Sequence, residues 1–122
     1  MEGSETRRVL DSQRGDGGRV LACAGCGQPI TTFAARIEVD GAHEHHFTNP
    51  DGYAFHIGCF SSVSGCRAVG QPDKGFSWFP GTSWQVELCT GCSVQLGWLY
   101  RGGERRFHGL ILSQLVERDA NT

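Results

Sequence analysis

The stretch Trp84-Gln85-Val86-Glu87-Leu88-Cys89-Thr90-Gly91-Cys92-Ser93-Val94-Gln95-Leu96-Gly97-Trp98-Leu99-Tyr100 decides the fold class. Trp84, Val86 and Leu88 alternate with Gln85 and Glu87, and Leu96, Trp98 and Tyr100 alternate with Gly97, Leu99 and Arg101. A period of two is the pattern of a strand with one apolar face. Between the two runs, Cys89-Thr90-Gly91-Cys92 has Gly before its second Cys, which allows a tight knuckle that turns both sulfurs to one point. Cys23-Ala24-Gly25-Cys26 has the same form. The four thiolates Cys23, Cys26, Cys89 and Cys92 match the closed tetrahedral shell of a single structural Zn2+, with no position open to water or substrate.

Working outward, the rest of the chain reads as mainly β. Ala35 to Val39, the turn Asp40-Gly41 and Ala42 to Phe47 form a candidate hairpin, because Asp-Gly tolerates positive φ. Asn49-Pro50-Asp51-Gly52 is a second turn, followed by the alternating Tyr53, Phe55 and Ile57. Phe107 to Leu112 suits a closing strand, and with Leu115 and Val116 it also suits a short helix; periodicity leaves both open. Residues 1–19 and 118–122 are polar and read as flexible tails around one folded unit, 20–117.

Composition narrows the function. The 122 residues carry 11 basic and 13 acidic side chains, a net charge of −2, which offers no field to hold nucleic acid or an anionic membrane. No apolar run approaches the roughly 18 to 20 residues of a membrane span. With 18 Gly and 6 Cys in so short a chain, a modest core needs a staple. No apolar signal core follows Met1, so the expected location is cytoplasmic, where spaced thiols favour a metal over disulfides. His56-Ile57-Gly58-Cys59 is a third half-site by spacing, set against the plainer reading of Cys59 as a small core residue. Cys66 is expected in a polar loop with no neighbouring base, which leaves a role as catalytic nucleophile unsupported, and His43, His45 and His46 read as a solvated edge.

Phe76-Ser77-Trp78-Phe79-Pro80-Gly81-Thr82-Ser83-Trp84 sets two tryptophans on either side of a Pro-Gly turn, and Trp98 and Tyr100 share a strand face. These rings form either core or a concave aromatic site. Glu87 is the only acid between Gly75 and Tyr100, on the opposite strand face from Trp84, so a site there favours a neutral flat ring over a cation.

His45-His46-Phe47-Thr48-Asn49-Pro50-Asp51-Gly52-Tyr53, Phe76 to Gly81, Trp84, Cys89 to Cys92, Leu96 to Tyr100 and Phe107-His108-Gly109-Leu110 together resemble the CULT domain, the thalidomide-binding domain of cereblon. The likeness runs from Cys23 to Leu115, and the length resembles that of single-domain bacterial homologues. It implies a β-tent of two antiparallel sheets pinned by the four-cysteine zinc. It further implies that Trp78, Trp84 and Trp98 wall a pocket with Tyr100 at its base and Asn49 and Pro50 at its rim. The backbone of Phe76 to Trp78, with Ser77 between, would hold an imide. The expected role is a non-enzymatic module for a cyclic imide, either a small molecule (glutarimide, thalidomide-type or uracil-like) or a peptide ending in cyclised Asn or Gln. No nucleic acid, membrane or ubiquitin-ligase adaptor is expected as a partner. The competing reading is a zinc-stapled redox enzyme similar to B-type methionine sulfoxide reductases, with Cys59 or Cys66 as nucleophile. Neither Cys has the Arg-x-Cys-x-Asn-like context of that family.

Overall fold

The computed structural model describes residues 18–119, and the expectations for 1–17 and 120–122 lie outside the described residues. Nine strands follow in order among the described residues: β1 Arg19–Cys23, β2 Pro29–Thr32, β3 Glu44–Thr48, β4 Ala54–Phe60, β5 Cys66–Asp73, β6 Ser83–Cys89, β7 Gln95–Gly102, β8 Arg105–Ile111 and β9 Leu115–Asp119. Short 3-10 turns, Phe33–Ala35 and Leu112–Gln114, are the helical elements. No helix here is long and apolar enough to cross a membrane. The fold is therefore mainly β, as the alternating runs predict.

The strands make two antiparallel sheets, a small one in the order β9-β1-β2 and a six-stranded one in the order β3-β4-β8-β7-β6-β5. Each face of the large sheet backs a different core. Leu110 of β8 packs with Phe60, Leu96 and Cys89 against Leu21, Cys23 and Ile30 of the small sheet. Its neighbour Ile111 packs on the other side with Ile57, Cys59, Phe79, Trp98, Tyr100 and Phe107. Both cores exist because both faces of the central strands are apolar, so burial continues along the strand instead of alternating with water.

Several expectations shift. Leu96, expected beside Trp98 and Tyr100, lies in the core of the small sheet. Glu87 pairs with Gly97 and Leu88 with Gln95, so Leu96 is the extra residue of a β-bulge that changes which face follows. The Asp40-Gly41 turn forms, with φ of 52° and 93° and reciprocal Val39 and Ala42 hydrogen bonds. Its leading arm is no strand, however: residues 33–35 make a 3-10 turn, and Arg36 and Ile37 bond to β4 through an isolated bridge and the Cys59 carbonyl. Cys66 begins an edge strand rather than sitting in a loop. The Phe107 to Leu112 segment is the strand β8 into a 3-10 turn. β9 then runs to Asp119, where Arg118 pairs with Val20 and Asp119 with Arg19, two residues past the expected boundary at Glu117. Charged side chains hid this strand, because an exposed edge needs only its backbone to pair.

Candidate functional site

Two constellations stand on the two sides of this framework. The first is the cysteine cluster. The knuckles from Cys23 and Cys89 have the same construction: Cys23 N–H donates to Gln28 C=O and Gly27 N–H to Cys23 C=O, while Cys89 N–H donates to Val94 C=O and Ser93 N–H to Cys89 C=O. Gly27 and Ser93, at matching positions, both have positive φ, 84° and 66°. A Cβ on Gly91 would lie 2.9 Å from the Cys26 Sγ, so the glycine in this knuckle leaves room for the sulfur of the other.

The four sulfurs lie within 4.8 Å of one another, with Cys23 to Cys92 at 3.7 Å and Cys26 to Cys89 at 3.6 Å. A tetrahedron with metal–sulfur bonds of about 2.3 Å has an edge of about 3.8 Å, so the residues fit one metal ion. The thiols also differ in acidity. Burial opposes charge on Cys89, but the N–H groups of Cys92 and Gly91 and the neighbouring thiols outweigh it and lower that group to about 7. Backbone N–H groups aimed at sulfur favour thiolate, the form a metal requires.

The second constellation is a cavity of about 290 Å³ lined by Asn49, Pro50, Asp51, Phe76, Trp78, Trp84, Trp98 and Tyr100. Seven of the eight residues expected at the site meet here. Trp98 and Trp78 cross at 75° with centroids 4.9 Å apart, forming a corner, and Phe47 stacks behind Trp78 at 4.9 Å. Trp84, opposite Tyr100 in the β6–β7 ladder, donates its Nε1–H to the Gly75 carbonyl at 2.7 Å. That bond uses the indole donor and ties the 74–81 loop to the sheet. The Pro80-Gly81 turn closes with Thr82 N–H on the Phe79 carbonyl and Gly81 at φ 83°.

Ser77, also expected at the site, is not among the lining residues; its hydroxyl lies 2.6 Å from that of buried Thr82 and bonds the Phe79 carbonyl, bracing the loop. Phe76 has φ 57°, a left-handed conformation that is costly for a bulky residue, and the residue is 80% exposed. Among the described residues, neither the Phe76 C=O nor the Trp78 N–H has a hydrogen-bond partner. The rim turn is rigid: Asn49 Oδ1 accepts Tyr53 N–H at 2.9 Å and Asn49 C=O accepts Gly52 N–H at 2.9 Å. Asp51 at its tip supplies an acid to the lining that strand parity did not reveal, because it comes from a loop distant in sequence.

The other sequence candidates part company. His56 is exposed and bonds Glu44, whereas Cys59 is fully buried on the opposite strand face, so they share no site. Burial pushes the thiols of Cys59 and Cys66 up to about 12. His43 and His45 bond the carbonyls of Ile37 and of Val39 and Ala42, while His46 stacks on His56.

The protein named cereblon from Danio rerio is 32% identical over 75 residues, covering 57% of this chain and 17% of that protein. Cereblon from Drosophila erecta is 36% identical over 77 residues, covering 57% of the chain and 13% of its own length. The chain is a cereblon-like domain. This cereblon-like domain spans less than a fifth of those relatives. No protein-family model matches it. Among solved structures, the crystal structure of the Mis18 "Yippee-like" domain superposes on the cereblon-like domain with a TM-score of 0.59, covering 83% of this chain and 95% of that one at 14% identity, a likeness of fold.

Proposed function

We propose that the aromatic cavity binds a six-membered cyclic imide, free or at a cyclised peptide C-terminus, and that the cysteine cluster holds one structural zinc. The observation that carries the first reading is the unpartnered pair beside the indoles: the Phe76 carbonyl and the Trp78 N–H. An imide edge presents acceptor, donor, acceptor, so its N–H can meet that carbonyl and one of its oxygens that N–H. The indole faces of Trp78, Trp84 and Trp98 suit the ring carbons. At about 290 Å³ the cavity lies at the small end of ligand sites, which favours a single ring. The protein acts by binding, without catalysis: a closed four-sulfur shell leaves no open metal position, and the two remaining cysteines are held as thiols. This thiol state also weighs against the sulfoxide-reductase alternative.

Tryptophan fluorescence tests the imide reading. Glutarimide should change the emission, and N-methylglutarimide should bind more weakly by about 1 to 3 kcal/mol, since it loses the donor and leaves a carbonyl unpaired. Equal binding of the two, or unchanged affinity in Trp98→Ala, would refute it. Native mass spectrometry tests the metal, with one zinc expected in the folded protein. A Cys26→Ser variant that kept its melting temperature without zinc would remove that assignment. The physiological location is proposed as cytoplasmic, and fractionation of the native host checks it.

A further inference from the structure

Tyr100 has a feature that the imide reading leaves unused. The residue is only 2% exposed, at the base of the cavity, and the rings of Phe79 and Phe107, themselves in contact at 4.9 Å, pack against it with centroids 4.8 and 5.2 Å away. A Cβ on Gly109 would touch its ring edge at 3.0 Å, so the backbone of β8 also presses on it. No group among the described residues bonds its hydroxyl. Nor is that oxygen sealed away, since among the described residues the one fully buried side-chain polar atom without a partner is Arg19 Nε. The small remaining exposure of Tyr100 therefore includes its hydroxyl, and the opening beside the residue is the cavity it lines. A phenol stacked on Phe107, abutted by Phe79 and pressed at its edge by the β8 backbone at Gly109 has little room to swing to another partner. Phenol hydroxyls that are otherwise buried carry a desolvation cost unless something bonds them.

We infer that the Tyr100 hydroxyl reads the far edge of the bound ring, so that the cavity favours imides with a hydrogen-bonding atom opposite the imide nitrogen over rings with carbon there. The inference rests on the imide reading. The free Phe76 carbonyl and Trp78 N–H lie in the loop at the mouth, where Phe76 is 80% exposed, whereas Tyr100 is at the floor. A ring whose imide edge meets the loop points its opposite atom inward. A methylene at that atom would cover the hydroxyl without bonding it, whereas a ring oxygen accepts its proton and a ring N–H donates to its oxygen.

Three rings of nearly equal size separate the cases: glutarimide with CH2 at that position, morpholine-3,5-dione with oxygen and piperazine-2,6-dione with N–H. Their dissociation constants are measured by tryptophan fluorescence with the full chain and with Tyr100→Phe, whose folding is checked by its melting curve. The expected result is that the oxygen or N–H ring binds the native protein about three- to tenfold more tightly than glutarimide, as one net hydrogen bond of about 1 kcal/mol implies. In Tyr100→Phe that preference should vanish, so that the three rings bind with nearly equal affinity relative to one another. If glutarimide binds and the ranking is the same in both proteins, the role of Tyr100 is overturned and the imide reading stands. If none of the three rings binds the native protein, the imide reading fails and this inference falls with it. Should Tyr100→Phe fail to fold, a native protein that prefers glutarimide to both heteroatom rings still overturns the proposal.

Discussion

Phe79 shows how much a single side chain decides here. It is fully buried and meets the rings of His45, Phe47, Tyr100 and Phe107 at centroid distances of 4.8 to 5.3 Å. It is also the neighbour of Trp78, so it anchors the loop that carries one wall of the cavity. Truncation to alanine should cost about 3 to 5 kcal/mol of stability by urea denaturation, and should weaken imide binding even in the fraction that stays folded. Glu87 carries a different kind of weight. Its carboxylate, in a residue 3% exposed, takes a 2.7 Å hydrogen bond with the Nδ1 of His108, which is equally buried, reaching from β6 past β7 to β8. Strand parity placed Glu87 on the face away from Trp84, and the structure buries that face. Glu87→Ala should lower stability by about 3 kcal/mol, because a buried imidazole loses its partner, while Glu87→Gln keeps an acceptor and should lose less. Comparing the two urea midpoints checks this.

At the scale of elements, the loop of residues 74–81 and the β7–β8 hairpin depend on a close backbone approach. A Cβ on Gly102 would lie 2.0 Å from the Gly81 carbonyl oxygen, so no side chain fits where β7 passes beneath the Pro80-Gly81 turn. Gly102→Ala should therefore displace the turn, reducing ligand affinity and melting temperature together, whereas Gly103→Ala, which meets nothing within 4 Å, acts only through its φ of 60°. Titration of glutarimide into both variants separates the two effects. The β-bulge at Leu96 is the other device at this scale. Without its extra residue the same strand could not supply Leu96 to one core and Trp98 and Tyr100 to the other.

For the whole molecule, the cysteine cluster joins the β1–β2 end of the small sheet to the end of β6 in the large one. If it holds zinc, a chelator should lower the melting temperature by unclasping the two sheets, and restored zinc should recover it. Alkali should act through other thiols. Burial raises Cys59 and Cys66 from 9.0 to about 12, so the unfolded chain loses these protons first as pH rises. The stability they contribute is complete below about pH 9 and is lost as pH climbs toward 12. A falling melting temperature over that window, with Cys59 resistant to iodoacetamide at pH 8 until the protein unfolds, is the expected result.

Local chemistry was enough for much of this. The two Cys-x-x-Cys knuckles, the Asp40-Gly41 and Asn49-to-Gly52 turns and the aromatic alternation in β6 and β7 are set by residues within a few positions of one another, so they were legible in the sequence. Covalent neighbours and backbone sterics act the same way wherever the chain goes. The tertiary structure alone decided that Ser77 braces the loop instead of lining the cavity, that Asp51 joins the lining, that Leu96 crosses to the second core and that the nearly buried Tyr100 hydroxyl is left without a bond among the described residues. Each of these depends on what a distant segment places opposite the residue, and no period along the chain encodes that packing.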